Sequence, residues 1–316
     1  IAELLKKQGY VTGCFGKWHL GDQPKFLPLT QGFDEYFGIP YSNDMWPGNK
    51  RGNPLTNRGP YTPLPIVRQN KAVAHVSDGP DQSLLCEVVT DEAVKFISKH
   101  KNEPFFCYIP HAYVHNPRYA RPHILKRAGG DVNRSNVEEV DDSVGRILRT
   151  LRELGIEKNT LVIFTSDNGG AGGMSMGPLR GGKGWLYEGG IREPFLVRWP
   201  GVTRPGSTCD EPVISTDFYP TLLDAAGFPA MKKQHQDGVS LVPLLKQDGQ
   251  LKREALYWHY PHYSNQGGFP GGAVRMGDFK LIERYEDGKV SMYNLSKDIG
   301  ERNDVAAMHP EKVDSM

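Results

Sequence analysis

Leu161-Val162-Ile163-Phe164-Thr165-Ser166-Asp167-Asn168-Gly169-Gly170 is the stretch that decides how this chain is read. An unbroken apolar run with β-branched residues at its centre has the composition of a strand buried on both faces, as in a parallel sheet. A carboxylate, a carboxamide and two glycines follow it. In an open α/β sheet, ligands bind just beyond the carboxyl ends of the strands. There Asp167 and Asn168 offer hard oxygen donors, which suit Ca²⁺ or Mg²⁺ better than zinc. The same residues also make ordinary Asx-turn chemistry. This segment alone leaves a ligand edge and a plain turn both open.

The neighbouring sequence repeats the pattern. Upstream, Val137, Val140, Val144, Ile147, Leu148, Leu151 and Leu154 fall at spacings of three and four, which predicts a helix over about 137–154 closed by Gly155. A second helix is expected over about 83–100, with Val89, Ala93, Phe96 and Ile97 on one face, and a strand over Pro104–Ile109. Ile1–Gln8 reads as the body of an amphipathic helix ended by Gly9, and Tyr10–Phe15 as a strand. Downstream, Pro194–Trp199 is a further strand, and Thr216 or Asp217 caps a helix to Ala226. Helices alternating with short apolar strands predict an α/β fold with a mostly parallel sheet flanked by helices. Residues from about Asp22 to Gln82 show no sustained period and are expected to form a long functional insertion. From about Glu254, short strands separated by Gly277-Asp278 and Asp287-Gly288 predict hairpins. The expected organisation is a main α/β domain over 1–253 and a small antiparallel subdomain over 254–316.

Composition bounds the partners. Among 316 residues, 38 Lys and Arg stand against 37 Asp and Glu, so no global field points to nucleic acid or an acidic surface. No apolar stretch approaches the ~20 residues of a membrane span. The four cysteines, Cys14, Cys86, Cys107 and Cys209, form no C-x-x-C pair, which excludes zinc-ribbon and thioredoxin-like readings.

Three more segments place chemistry at predicted strand ends. Gly16-Lys17-Trp18-His19-Leu20-Gly21 sets a cation and an imidazole two residues apart, on one face if the backbone is extended. Alternatively, these are a surface lysine and a histidine packed on Trp18. His111 and His115 follow another strand. Pro110 and Pro117 rule out one helix carrying both, so they are not an i, i+4 metal pair, and either can be an acid or a hydrogen-bonded structural residue. Arg180-Gly181-Gly182-Lys183-Gly184 lacks the nucleotide P-loop spacing, yet Lys183 between glycines suits a tetrahedral anion. Glu188 and Arg192 read as an ion pair or structural network. A hard cation, lysines and histidines at successive strand ends share one logic, the neutralisation and protonation of an oxyanion ester.

With these residues in view, the chain resembles the sulfatase family, of alkaline-phosphatase-like fold, and most nearly its arylsulfatase A-like branch. Gly16–Gly21 matches the family's G-K-W-H-L-G, Asp167-Asn168-Gly169 its metal-binding D-N-G, and Gly182-Lys183 through Glu188-Gly189-Gly190-Ile191-Arg192 its G-K…E-G-G-I-R. Asp217-Phe218-Tyr219-Pro220-Thr221-Leu222 resembles its D-x-x-P-T-[LI] helix. The resemblance implies sulfate-ester hydrolysis of an aryl or carbohydrate substrate, with Asp167 and Asn168 as two Ca²⁺ ligands and Mg²⁺ the less favoured cation. It implies that Lys17 and Lys183 hold sulfate oxygens. His19 would assist the formylglycine hydrate, and His115, rather than His111, would act with Lys183 to protonate the departing alcohol. A periplasmic, secreted or lysosome-like location and a formylglycine-generating maturation enzyme are implied too.

One departure is plain. The family's nucleophile motif, C/S-x-P-x-R, is absent: the single P-x-R is Pro178-Leu179-Arg180, preceded at the key position by Met176. The family's first metal-binding aspartates are absent as well. Both normally precede the helix with which this sequence opens, so the expectation is an N-terminally truncated fragment, inactive by itself. A phosphoesterase of the same superfamily and a non-catalytic glycan-binding relative are the alternatives. Asn168, where two-metal phosphatases commonly place histidine, favours a single hard cation. Tyr257-Trp258-His259-Tyr260-Pro261-His262-Tyr263 reads either as a sugar subsite or as a strand whose aromatics pack into the subdomain.

Overall fold

The computed structural model describes residues 1–57 and 59–316. The chain divides into two compact units, Ile1–Thr160 and Leu161–Met316.

The first unit is built on a five-stranded sheet. Helix α1 (Ala2–Lys7) leads into β1 (Val11–Lys17), then β2 (Glu35–Ile39), β3 (Leu64–Arg68), β4 (Lys71–Val76), α2 (Gly79–Lys99) and β5 (Phe105–Tyr108). Two further helices, α3 (Pro122–Arg127) and α4 (Val132–Glu153), complete it. Strand order is β4-β3-β2-β1-β5, with β1 parallel to both β2 and β5, while β2, β3 and β4 run antiparallel in turn. Strand β1, flanked by β2 and β5, is buried over Thr12–Gly16 because both faces of the sheet carry a core. On one face Cys14, Tyr36 and Val67 pack with Ala2 of α1, Trp18 and Phe33. On the other, Ile39, Leu64 and Val76 pack with Leu85 and Cys86 of α2. Each such side chain, once fully buried, contributes about 1.5–3 kcal/mol.

The stretch read as an irregular insertion contains β2, β3 and β4 (its Arg58 lies outside the described residues). Glycine and proline around them, and the mostly exposed residues of β4, hid the alternation that marks a strand. The two long helices begin earlier than their apolar periodicity indicated, because polar caps extend them. Asp78 accepts from the Asp81 amide, and Asp131 accepts from those of Asn133 and Arg134.

At the centre of this sheet two backbones touch. A methyl group on Gly38 would lie 1.8 Å from the Gly16 carbonyl oxygen. Gly38→Ala is therefore expected to cost about 3 kcal/mol through forced separation of β1 and β2. Urea denaturation would show it as a lower midpoint; an unchanged midpoint would mean the strands are not so closely apposed.

The second unit holds β6 (Val162–Thr165), α5 (Glu188–Ile191), β7 (Phe195–Arg198), α6 (Phe218–Ala225) and α7 (Val242–Lys246). Then come β8 (Leu256–Tyr260), β9 (Gly271–Met276), β10 (Phe279–Arg284), β11 (Val290–Asn294) and α8 (Pro310–Ser315). Strand β6, which its apolar run suggested would be buried on both faces and parallel, is only partly buried and pairs antiparallel with β7; an apolar run fixes neither the cover on a strand nor the direction of its neighbour. Strands β8–β11 form the expected antiparallel meander, order β11-β10-β9-β8. Asp217 opens α6 as a fully buried carboxylate that accepts from the amides of Ile214 and Val239 and from Arg253 at 2.7 Å.

Candidate functional site

In the first unit the candidate residues collect at the carboxyl edge of the parallel strands. The ladder continues past β1: the Trp18 amide donates to the Ile39 carbonyl and the His19 amide to that of Pro40, each at 3.0 Å. On the other side the Lys17 amide donates to Pro110 O at 2.7 Å. Trp18 turns inward, only 8% exposed, with its indole donating to Phe26 O. Lys17 is half-buried and His19 exposed. His19 adopts a left-handed backbone, φ 51°, so the simple alternation of an extended strand stops there. A non-glycine residue held in that region is a costly arrangement of the kind found at functional sites.

Beyond β5, the two histidines separate. His111 turns into the space between α2 and α4, its Nδ1 3.7 Å from Cys86 Sγ and its Nε2 3.1 Å from Ser143 Oγ. Burial lowers its pKa to about 4. A ring kept neutral at physiological pH is a poor general acid. His115 lies in a turn closed by its own amide on Ala112 O, with Nδ1 2.6 Å from Asn116 O. A carbonyl only accepts, so that nitrogen carries a proton and proton exchange falls to Nε2.

The buried His111 has a consequence for stability. Above the pKa of an unfolded histidine, ~6.5, the ring is neutral in both states and pH has no effect. Below it, down to about 4, the unfolded chain takes up a proton that the folded chain refuses, so stability falls with pH. The slope is at most about 1.4 kcal/mol per pH unit. His111→Asn should flatten this fall between pH 6.5 and 5 in chemical denaturation, and an identical slope in the variant would remove His111 as its cause.

In the second unit the ligand edge and the glycine-flanked lysine come together. After β6, the Gly169 amide donates to Gly190 O at 3.1 Å, and the Lys183 amide donates to Gly170 O at 3.0 Å. Lys183 is thereby tied to the loop that carries Asp167 and Asn168. The contact demands glycine, because a methyl group on Gly169 would lie 1.8 Å from the Gly189 carbonyl oxygen.

The donor chemistry of this loop fits a hard cation, of which Asp167 and Asn168 would supply two ligands. A second carboxylate supports that fit. Glu193 has a buried Oε1 without a hydrogen-bond partner, and its pKa is raised to about 7, first by burial and then by the charge of Asp167. A hydrogen bond from Ser166 opposes that rise, and among the described residues no ion pair neutralises either carboxylate. Among the described residues, no group of three His, Cys, Asp or Glu side chains completes a metal site.

Behind the loop lies a buried charge network. Glu188, the first residue of α5, receives Lys280 Nζ at 3.1 Å, while Lys280 lies 3.0 Å from Glu301 Oε1. The Glu188 amide donates to Glu301 Oε2 at 2.6 Å. Arg192 and Arg275 approach Glu188 at 3.5 and 3.8 Å. Glu188 is thus structural, as its pairing with Arg192 suggested. Lys280 and Glu301 carried no sequence signal. Neither did Glu193, nor Ser42 and Asn43, which lie just beyond β2 and each hold a buried oxygen without a hydrogen-bond partner. Their signal would have been the strand before them, which the sequence did not reveal.

Comparison with known proteins identifies the family. A family model described as "Sulfatase" matches residues 1–228, and one described as "N-sulphoglucosamine sulphohydrolase, C-terminal" matches residues 182–314. Arylsulfatase A of Homo sapiens is 36% identical over 301 residues, covering 89% of this chain and 57% of that protein. N-acetylgalactosamine-6-sulfatase of Homo sapiens is 36% identical over 265 residues, covering 82% of this chain and 50% of that protein. The chain therefore spans little more than half the length of these curated relatives. Among solved structures, Ps i-CgsB in complex with k-i-k-neocarrahexaose superposes with a TM-score of 0.85 at 28% identity, covering 100% of this chain and 71% of that one. By family model, sequence identity and fold together, the chain belongs to the sulfatase family.

Proposed function

We propose that the complete protein hydrolyses sulfate monoesters of an aryl or carbohydrate substrate. The observation that carries this reading is the tie between Lys183 and Gly170, which joins a cation-ligand pair and an anion-binding lysine in one rigid loop assembly. In this reading Asp167 and Asn168 hold Ca²⁺, in preference to Mg²⁺, and the cation supplies charge neutralisation for the sulfate group and nucleophile. Lys17 and Lys183 bind sulfate oxygens. His19 takes a proton when sulfate is released. His115, through Nε2 and with Lys183, delivers one to the departing alcohol.

The nucleophile is assigned to a formylglycine outside residues 1–316, since no C/S-x-P-x-R occurs among them. Its formation requires a maturation enzyme as partner. Residues 1–316 in isolation should then release no sulfate. A periplasmic, secreted or lysosome-like location accords with relatives of this kind; no described helix is long and apolar enough to cross a membrane. The main domain is assigned to 1–253 and the antiparallel subdomain to 254–316.

The test is sulfate release by the matured, complete protein from aryl and sugar sulfates, with and without Ca²⁺. Chelation should abolish release and Ca²⁺ restore it. Zinc-dependent phosphate release indifferent to Ca²⁺ would select the phosphoesterase alternative. Binding of sulfated glycans without turnover would select the non-catalytic one.

A further inference from the structure

We propose that Met176 is a reversible oxidation site, at which hydrogen peroxide loosens the loop carrying Asp167 and Asn168. That loop is held on three sides. Two of its ties, Gly169 N to Gly190 O and Lys183 N to Gly170 O, join backbone to backbone. The third does not. The Gly170 amide donates to Met176 Sδ at 3.1 Å, a close approach for an atom as large as sulfur. Both polar groups of Gly170 are therefore committed, its carbonyl to Lys183 and its amide to a thioether. Control of turnover by this loosening rests on the sulfate-ester reading of the loop; the modification itself does not.

The thioether is both held in place and open to solvent. Met176 lies in the segment 171–179, where the Leu179 amide donates to Met176 O and the Gly177 amide to Ser175 Oγ, each at 3.1 Å. The side chain is directed back onto Gly170. A methyl group on Gly170 would lie 2.4 Å from Met176 Cε and 2.7 Å from Met174 Cβ. Met176 is nevertheless only half-buried, and Gly172, Gly173, Ser175 and Gly177 around it are exposed. A small oxidant therefore reaches the sulfur without unfolding the unit. Two other methionines bracket this case: Met292 is fully buried in the meander, and Met308 is 72% exposed.

The chemistry balances with peroxide alone. A sulfur lone pair attacks one peroxide oxygen, an S–O bond forms as the O–O bond breaks, and the hydroxide released takes the proton left on the new oxygen. Sulfur loses two electrons, peroxide gains them, and the products are a sulfoxide and water. A thioether sulfur is already a weak acceptor, and in the sulfoxide it carries positive charge and accepts nothing. Met176 Cε and Met174 Cβ fill the space over Gly170, which leaves none for the new oxygen. The Gly170 amide thus loses its partner. The disturbance passes to Lys183 through the Gly170 carbonyl and to Asn168 along the chain. Methionine sulfoxide reductases reverse the reaction, so the tie can be remade.

Peptide mass spectrometry and hydrogen exchange on the complete protein test the site independently of turnover. In dilute hydrogen peroxide, Met176 and Met308 should each gain one oxygen while Met292 gains none. Exchange at the Gly170 amide should rise about fivefold or more in step with the Met176 sulfoxide, as expected for one lost hydrogen bond, while the amides of β10 keep their protection. A methionine sulfoxide reductase should reverse both changes. In Met176→Leu, Gly170 should exchange fast from the outset and no longer respond to peroxide, whereas Met308→Leu should respond as the unaltered protein does. Met176 still reduced when Met308 is fully oxidised would overturn the inference. So would a Met176 sulfoxide that leaves Gly170 protected, or a response that persists in Met176→Leu. Sulfate release should fall in parallel with the sulfoxide, and release unchanged by it would overturn the control of turnover. A protein that releases no sulfate even before peroxide would instead overturn the hydrolase reading and leave the oxidation site standing.

Discussion

Lys280→Met is expected to destabilise the protein by about 3–5 kcal/mol, a large part of the stability of an ordinary domain. Lys280 has no exposed surface and stands between two carboxylates that are themselves buried, Glu188 and Glu301. Burying three charges is not in itself strongly stabilising, because desolvation offsets most of their attraction. Removing the one cation at the centre is different, since it leaves two like charges together in a medium that solvates neither. Burial already raises the pKa of Glu301, and Lys280 opposes that rise. Without Lys280, Glu301 would be driven to bind a proton. Adding Glu301→Gln to Lys280→Met should therefore recover part of the loss.

The effect should also reach the candidate site, because Glu188 begins the segment whose Gly189 and Gly190 support the Asp167–Gly170 loop. Chemical denaturation measures the first effect, and hydrogen exchange at the amides of Gly169 and Lys183 the second. A loss below about 1 kcal/mol would show that the network is solvated or protonated, and would remove it as the support of that loop.

Lys183→Ala should have the largest effect on chemistry. Loss of a preorganised charge aimed at a developing oxyanion lowers turnover about 10²- to 10³-fold, and sulfate release by the complete protein should fall by that factor. Stability should change by no more than about 0.5 kcal/mol, since what fastens the loop is the backbone amide of Lys183, which alanine retains. Lys183→Arg should restore only part of the activity, because a planar fork does not reproduce a compact point charge on the same stem. Turnover within threefold of the unaltered protein in Lys183→Ala would remove this residue from sulfate binding.

Much of the candidate site was legible in the sequence because its residues are short-range features. Lys17 and His19 lie two apart at the end of a strand, Asp167 and Asn168 are adjacent at the end of another, and Lys183 stands among glycines. Each pattern is local, and local patterns survive without knowledge of the neighbours. The choice between His111 and His115 was less accessible. Both follow the same strand, and only the positions of Cys86 and Ser143, from helices elsewhere in the chain, show that His111 is enclosed and neutral. Strands β2–β4 were missed for a related reason. Their pairing is with one another and with β1, and the residues that would mark a strand are diluted by glycine, proline and exposed polar side chains.

By itself, then, the sequence determined the α/β class, the C-terminal hairpins and the identity of the residues proposed for chemistry, because periodicity, turn residues and motifs are carried by neighbours along the chain. Tertiary structure alone decided the direction of β6, the separation of the two histidines and the division of the β8 aromatics, of which Trp258 and Tyr260 pack on the core while Tyr257 stays exposed. It also decided the joining of Lys280 to Glu188 and Glu301 across 92 and 21 residues of chain. The physical reason is common to all of these. A buried charge, a neutral imidazole or an exposed ring owes its state to the groups that surround it, and those groups come from parts of the chain that become neighbours only on folding.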